Sequence, residues 1–184
     1  MKIDEALKIL KENIKNQNLI KHSLAVEAVM KALARHFGED EEKWAIAGLL
    51  HDIDYEKTKN NPQEHSLLGS KMLEDLGVEK DISQAVKVHN EIHGILPQTL
   101  MEKALYVTDP LTGLIVAATL VLPSKKIIDL KPENVLKRFK EKAFARGANR
   151  EIIKKCQEYL GLSLEEFIGI GLRAMQNISQ ELGL

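Results

Sequence analysis

With a single cysteine, Cys156, in 184 residues, the chain can close no disulfide within itself, which fits a reducing compartment. Aromatic side chains are scarce. Four Phe, three Tyr and one Trp leave the core to Leu, Ile, Val and Ala, a composition that favours helix over sheet. No apolar run is long enough to span a bilayer: the most apolar stretch, Leu111 to Leu122, is short and broken by Thr112 and Thr119. The N-terminal Met-Lys-Ile-Asp-Glu lacks the apolar core of a signal peptide. A basic excess is missing too, since the net charge is −1, so neither nucleic acid nor an anionic membrane is an expected partner. The eleven glycines are scattered and form no phosphate-cradling loop, and no Ser-His-Asp order or activated cysteine stands out. These absences predict a soluble cytoplasmic protein, one domain over 1–184, and leave self-association open.

What is there is helix. Apolar residues recur at three and four almost throughout. Asp4 caps a first helix with Ile3, Leu7, Leu10 and Ile14 on one stripe, and Asn18 opens a second that runs through His22 to about Phe37, stopped by Gly38. Asp40 caps a third that ends near His51-Asp52. Pro62 starts a fourth, with His65 in its first turns, and Gly77 ends it. Asp81–His89 is a fifth and Leu100 to about Thr108 a sixth. Pro110 suits a first turn, so Asp109 is expected as the N-cap of a separate buried helix from Pro110 to Leu122. Pro132 to about Arg146 follows, then a helix from Asn149 to Gly161, then a capping box at Ser163 and Glu166 opening the last. The expectation is an all-α orthogonal bundle of nine to ten short helices, with a core over 18–125 and a helical extension over 126–184.

His51 and Asp52 stand side by side at the end of the apolar run Trp44-Ala-Ile-Ala-Gly-Leu-Leu50. A buried charge without a partner is costly, so this pair requires a cation, a basic group or water. His22 precedes it, near the face of Ala25, Val26 and Val29; His65, His89 and Asp109 follow. Each alone has a plainer reading. His22 fits an interior histidine, His51 a residue favoured by the helix dipole, Asp52 the cap of a turn, Asp109 an N-cap, and His65 and His89 solvent-edge histidines. Together they are side chains of the type, imidazole and carboxylate, that a divalent transition metal takes as ligands. Neighbouring helical residues point about 100° apart, so a pair such as 51 and 52 converges on one ion only near a helix end, where this one sits. His93 is a candidate to contact substrate or to support a ligand. Arg146 and Arg150 flank a glycine-centred turn and are candidates to reach a phosphate. The charges of Lys137-Arg-Phe-Lys-Glu-Lys142 interleave with acids and read as a solvated face.

The segments His22-Ser-Leu-Ala-Val-Glu27, Ala47-Gly-Leu-Leu-His-Asp52, His65-Ser-Leu-Leu-Gly69, His89 and Tyr106-Val-Thr-Asp109 together resemble the HD superfamily of metal-dependent phosphohydrolases, most closely its HDIG type. The resemblance implies that His22, His51, Asp52 and Asp109 hold a metal. It also implies that His65 and His89 add the ligands of a second ion, with Asp52 bridging. Small hydrolases of symmetrical dinucleoside tetraphosphates look like the nearest single-domain group. Two departures stand out. Asp54 replaces the glycine of the HDIG name, and His89 is followed by Asn90 rather than a second histidine, which disfavours cyclic di-GMP hydrolysis. The ligand set suits one or two ions of Fe, Mn, Ni, Co or Zn and suits magnesium poorly. The implied activity is hydrolysis of a nucleotide or another small phosphate ester or anhydride by metal-activated water, with Asp52 catalytic. The alternatives are a non-catalytic module that binds metal and nucleotide, and a helical scaffold whose histidines are structural.

Overall fold

The computed structural model describes residues 1–184 as helices and turns, with no strand. The helices are α1 (Ile3–Asn13), α2 (Gln17–Phe37), α3 (Glu41–Leu50), α4 (Tyr55–Thr58), α5 (Leu67–Asp75), α6 (Lys80–Val88), α7 (Leu100–Leu120), α8 (Pro132–Lys140), α9 (Arg150–Lys154), α10 (Cys156–Leu160), α11 (Leu164–Gln176) and α12 (Ser179–Leu182). Their ends follow local chemistry. The Asp40 side chain accepts from the Lys43 N–H at the start of α3, and Ser163 and Glu166 form a reciprocal capping box on α11. Gly38, at φ 72°, takes the left-handed turn that ends α2. None of the helices is long and apolar enough to cross a membrane.

Several boundaries differ from the sequence expectation. Lys2 rather than Asp4 stands at the N-cap of α1, and Asn16 rather than Asn18 caps α2, its side chain accepting from the Asn18 N–H. Pro62 opens no helix: residues 62–66 are turns, and α5 begins at Leu67 after Ser66, which holds a φ of 71°. His65 therefore lies on a turn. The two helices expected on either side of Asp109 are one, with Pro110 inside α7. Proline there removes one backbone bond and costs about 3 kcal/mol. Burial of α7 from Met101 to Thr119 along most of its length outweighs that loss. Asp109 is consequently a mid-helix residue and no cap. The helix from Pro132 stops at Lys140, and the Arg150 guanidinium gathers the following loop, donating to the carbonyls of Phe139, Phe144, Ala145 and Ala148.

One hydrophobic core of 46 buried residues draws on α1 to α3, α5 to α11 and the C-terminal Leu182. Its centre is α2 against α3, with α7 and α11 packed on other sides of α2. Every residue of α3 from Trp44 to Leu50 is buried, so the apolar run ends inside the molecule and delivers His51 and Asp52 there. The ends of α3 and α6 thus meet the N-terminal third of α2 and the middle of α7. Close approach of α3 to α2 depends on Gly48, where a Cβ would lie 2.9 Å from the Val26 carbonyl oxygen and 3.0 Å from Glu27 backbone atoms. Backbone cannot yield as a side-chain tip can, so Gly48→Ala should destabilise the fold by about 1–3 kcal/mol. A denaturant midpoint equal to wild type would contradict this packing account.

Candidate metal centre

Six side chains converge where those four helices meet. His22 comes from α2, His51 and Asp52 from the end of α3, His65 from the turn before α5, His89 from the end of α6, and Asp109 from the middle of α7. The two Asp52 oxygens face different partners. Oδ2 lies 3.7 Å from His22 Nε2 and 3.4 Å from His51 Nε2, and the same two nitrogens lie 3.0 and 3.7 Å from Asp109 Oδ1. Oδ1 lies 3.3 Å from His65 Nε2 and 3.5 Å from His89 Nε2. Donors that share an ion at about 2.1 Å stand about 3.0 Å apart at right angles and about 3.4 Å apart in a tetrahedron. The observed separations, 3.0–3.7 Å on the Oδ2 side and 3.3–3.5 Å on the Oδ1 side, lie close to these values.

The outer ring nitrogens fix the direction of all four imidazoles. His51 Nδ1 donates to the Gly48 carbonyl at 2.8 Å and His89 Nδ1 to the Val86 carbonyl at 2.6 Å. His65 Nδ1 donates to Asp54 Oδ1 at 3.0 Å. Thr112 Oγ1 donates to the Asp109 carbonyl at 2.9 Å, which leaves it an acceptor for His22 Nδ1 at 3.2 Å. Each proton thus points outward and each Nε2 lone pair inward. The Nε2 atoms of His22 and His51 then face one another at 3.2 Å. Two bare lone pairs at that distance repel; in the metal-free molecule a proton on one nitrogen makes a hydrogen bond to the other, and a cation would take that proton's place. The donor set therefore fits a transition metal.

Asp54 is a member of this group that sequence reasoning noticed only as a departure from glycine. It is fully buried, with one oxygen on His65 Nδ1 and the other accepting from the Ser66 N–H at 2.8 Å. Ser66 presents that N–H from its left-handed conformation, a strained position for a non-glycine residue. A Cβ at Gly69 would lie 3.0 Å from Asp54 Oδ1, so the glycine makes room for the carboxylate. Thr112 also carried no signal in the sequence, because its role depends on where α2 crosses α7.

His93 and Arg146 lie outside the cluster. His93 Nε2 donates to the His65 carbonyl at 2.7 Å and braces that turn, with Asn90 Nδ2 on the same carbonyl at 3.3 Å. Arg146 is exposed, one residue before Gly147, which lines a cavity of about 200 Å³ over the cluster. His65, His89, Asp109, Asn90, Glu91 and Tyr106 also line this cavity. His22 and Asp109 are the exposed edge of the group, at 25% and 33% side-chain exposure, whereas His51 is wholly enclosed.

At His51, Asp52, His65 and Asp109 burial opposes charge, and the pairing outweighs it. His51 is raised well above the usual imidazole range by the Asp52 and Asp109 carboxylates. Asp52 and Asp109 are depressed below the ordinary carboxylate range by the neighbouring imidazoles. His65 is pushed up to about 9 by Asp52 and Asp54. In the absence of metal, then, protons supply the positive charge.

Comparison with known proteins finds similarity over the same part of the chain. A family model described as HD domain matches residues 19–114, a span that contains all six convergent residues. The chain is 32% identical over 142 residues to ribonuclease Y of Nitratidesulfovibrio vulgaris (strain DP4), covering 74% of this chain and 27% of that protein. It is 30% identical over 139 residues to ribonuclease Y of Lawsonia intracellularis, with 74% and 26% covered. It thus spans about a quarter of the length of these ribonuclease Y relatives. An uncharacterized protein of Methanocaldococcus jannaschii is 29% identical over 166 residues, which cover 84% of this chain and 92% of that one.

The charge state predicts a pH dependence. His65 is raised in the fold, so its contribution to stability is complete below its unfolded pKa of about 6.5. That contribution is lost as pH rises through the folded value of about 9. The thermal midpoint in a chelator should therefore fall between pH 6.5 and 9, with a shallower fall in His65→Gln. A midpoint that is flat or rising across this window would contradict the protonated cluster.

Proposed function

The chain belongs to the HD domain family, and on that footing we propose that it is a metal-dependent phosphohydrolase acting on a nucleotide or other small phosphate ester or anhydride. The observation that carries this reading is the division of the Asp52 carboxylate, with Oδ2 toward His22, His51 and Asp109 and Oδ1 toward His65 and His89. That division suits one ion on each side, and the histidine-rich set suits Fe, Mn, Ni, Co or Zn. When bound, the metal supplies Lewis acidity and lowers the pKa of a coordinated water.

The chain's own residues supply the rest. Asp52 holds both halves of the site in register. Asp54 orients His65 and adds a third carboxylate to the charge balance, which favours divalent ions. The cavity above the cluster is narrow, with Glu91 tied to Asn149 Nδ2 at 3.0 Å across its rim. That size suits the phosphate group itself. The ribonuclease Y likeness brings phosphodiester bonds into consideration beside monoesters.

Asp52→Asn keeps the side chain's shape and loses its charge, so turnover should fall below a tenth of wild type at saturating Mn, and the metal-free protein should lose stability at neutral pH because the protonated imidazoles lose a counter-charge. The assay is a panel of nucleotides, phosphomonoesters and short RNA with each candidate metal. Saturable binding without turnover on any substrate would leave the metal- and nucleotide-binding module as the correct reading.

Asp54→Asn should weaken binding of one of two Mn ions by about 10–100-fold and leave the other unchanged. A titration followed by calorimetry separates the two. Unchanged affinities in Asp54→Asn would remove Asp54 from the metal centre.

A further inference from the structure

A second recess, of about 510 Å³, also reaches His22. Its walls continue the two helices that carry His22 and Asp109. Asn18 and Lys21 on α2 and Gly113, Val116 and Leu120 on α7 line it, and Leu182 of α12 with Gly183 and Leu184 closes it. Asp109, Gly113, Val116 and Leu120 follow one another at helical spacing, so the α7 face that presents Asp109 runs on into the recess.

Gly113 has no packing reason to be glycine. At Gly48, Gly69 and Gly171 a Cβ would meet a neighbour at 3.0 Å or less, whereas at Gly113 it would meet nothing within 4 Å. Glycine inside a helix is less favourable than alanine. The effect of the missing side chain is to keep the recess open. Leu120 is 49% exposed there, an apolar wall without a cover. Lys21 is half-buried with its ammonium beside Gly183, and no carboxylate lies within ion-pair distance of it. An uncovered apolar wall and an unpaired cation beside the metal centre complement an organic anion, and the volume lies in the range of small-molecule sites.

Building on the phosphohydrolase reading, we propose that this recess is the leaving-group subsite. It takes the apolar, ring-sized organic body of a phosphate substrate against Val116, Leu120 and Leu182, and Lys21 offers its charge to the phosphate oxygens. The site thereby selects organic phosphates with a substantial apolar leaving group over inorganic or very small ones.

The test uses two phosphonates whose C–P bond the reaction does not cleave, methylphosphonate and 1-naphthylmethylphosphonate, titrated calorimetrically into the Mn-loaded full chain. Wild type should bind the naphthyl compound at least tenfold more tightly. Gly113→Leu should abolish that gain while methylphosphonate affinity and metal content stay as in wild type. Val116→Trp, which fills the same space from another position on α7, should do the same, and thermal midpoints report that both variants are folded. Lys21→Gln should weaken the naphthyl compound several-fold and flatten its dependence on salt. Equal binding of the two phosphonates by wild type, or a gain that survives both filling substitutions, would overturn the recess assignment alone. Failure of the metal-loaded protein to bind either phosphonate would overturn the phosphohydrolase reading together with it.

Discussion

Three carboxylates, Asp52, Asp54 and Asp109, lie among four imidazoles, and no lysine or arginine pairs with any of them. Negative charge this far from water has to be balanced locally. In the metal-free molecule the balance comes from protons on the histidines, which is why His51 and His65 are displaced upward and Asp52 and Asp109 downward. Protons and divalent ions compete for the same lone pairs. A site stable in the fold only when positively charged is thus disposed toward metal as pH rises.

The helical architecture serves that balance. A helix end lets two consecutive residues turn toward one centre, and α3 places its end inside the core because nothing from Trp44 to Leu50 faces water. The ends of α3 and α6 also supply carbonyls three residues back, Gly48 and Val86, which take the Nδ1 protons of His51 and His89. His22 and His65 lack such a carbonyl, and Thr112 and Asp54 take its place. The scaffold therefore sets imidazole direction by four separate local contacts, each leaving Nε2 free.

The helical class was legible in the sequence because apolar periodicity is a local signal, whereas the grouping of His22, His51, Asp52, His65, His89 and Asp109 was expected from the resemblance to a known family, since no local signal brings distant residues together. What could not be read depended on tertiary context. Pro110 looks like a helix start in isolation, and only the burial of α7 on both sides of it carries the helix through. Pro62 likewise looks like a first turn, yet the chain there stays in turns so that Ser66 can hand its N–H to Asp54. Arg150 reads as a phosphate ligand from its charge, but four loop carbonyls occupy its guanidinium.

The central claim is that Asp52 divides two cation positions between its oxygens. Anomalous diffraction from crystals grown with excess manganese tests it directly. The account predicts two peaks, one bounded by His22, His51, Asp109 and Asp52 Oδ2, the other by His65, His89 and Asp52 Oδ1. Crystals that show no peak within the cluster, with the four imidazoles in the orientations described, would contradict it.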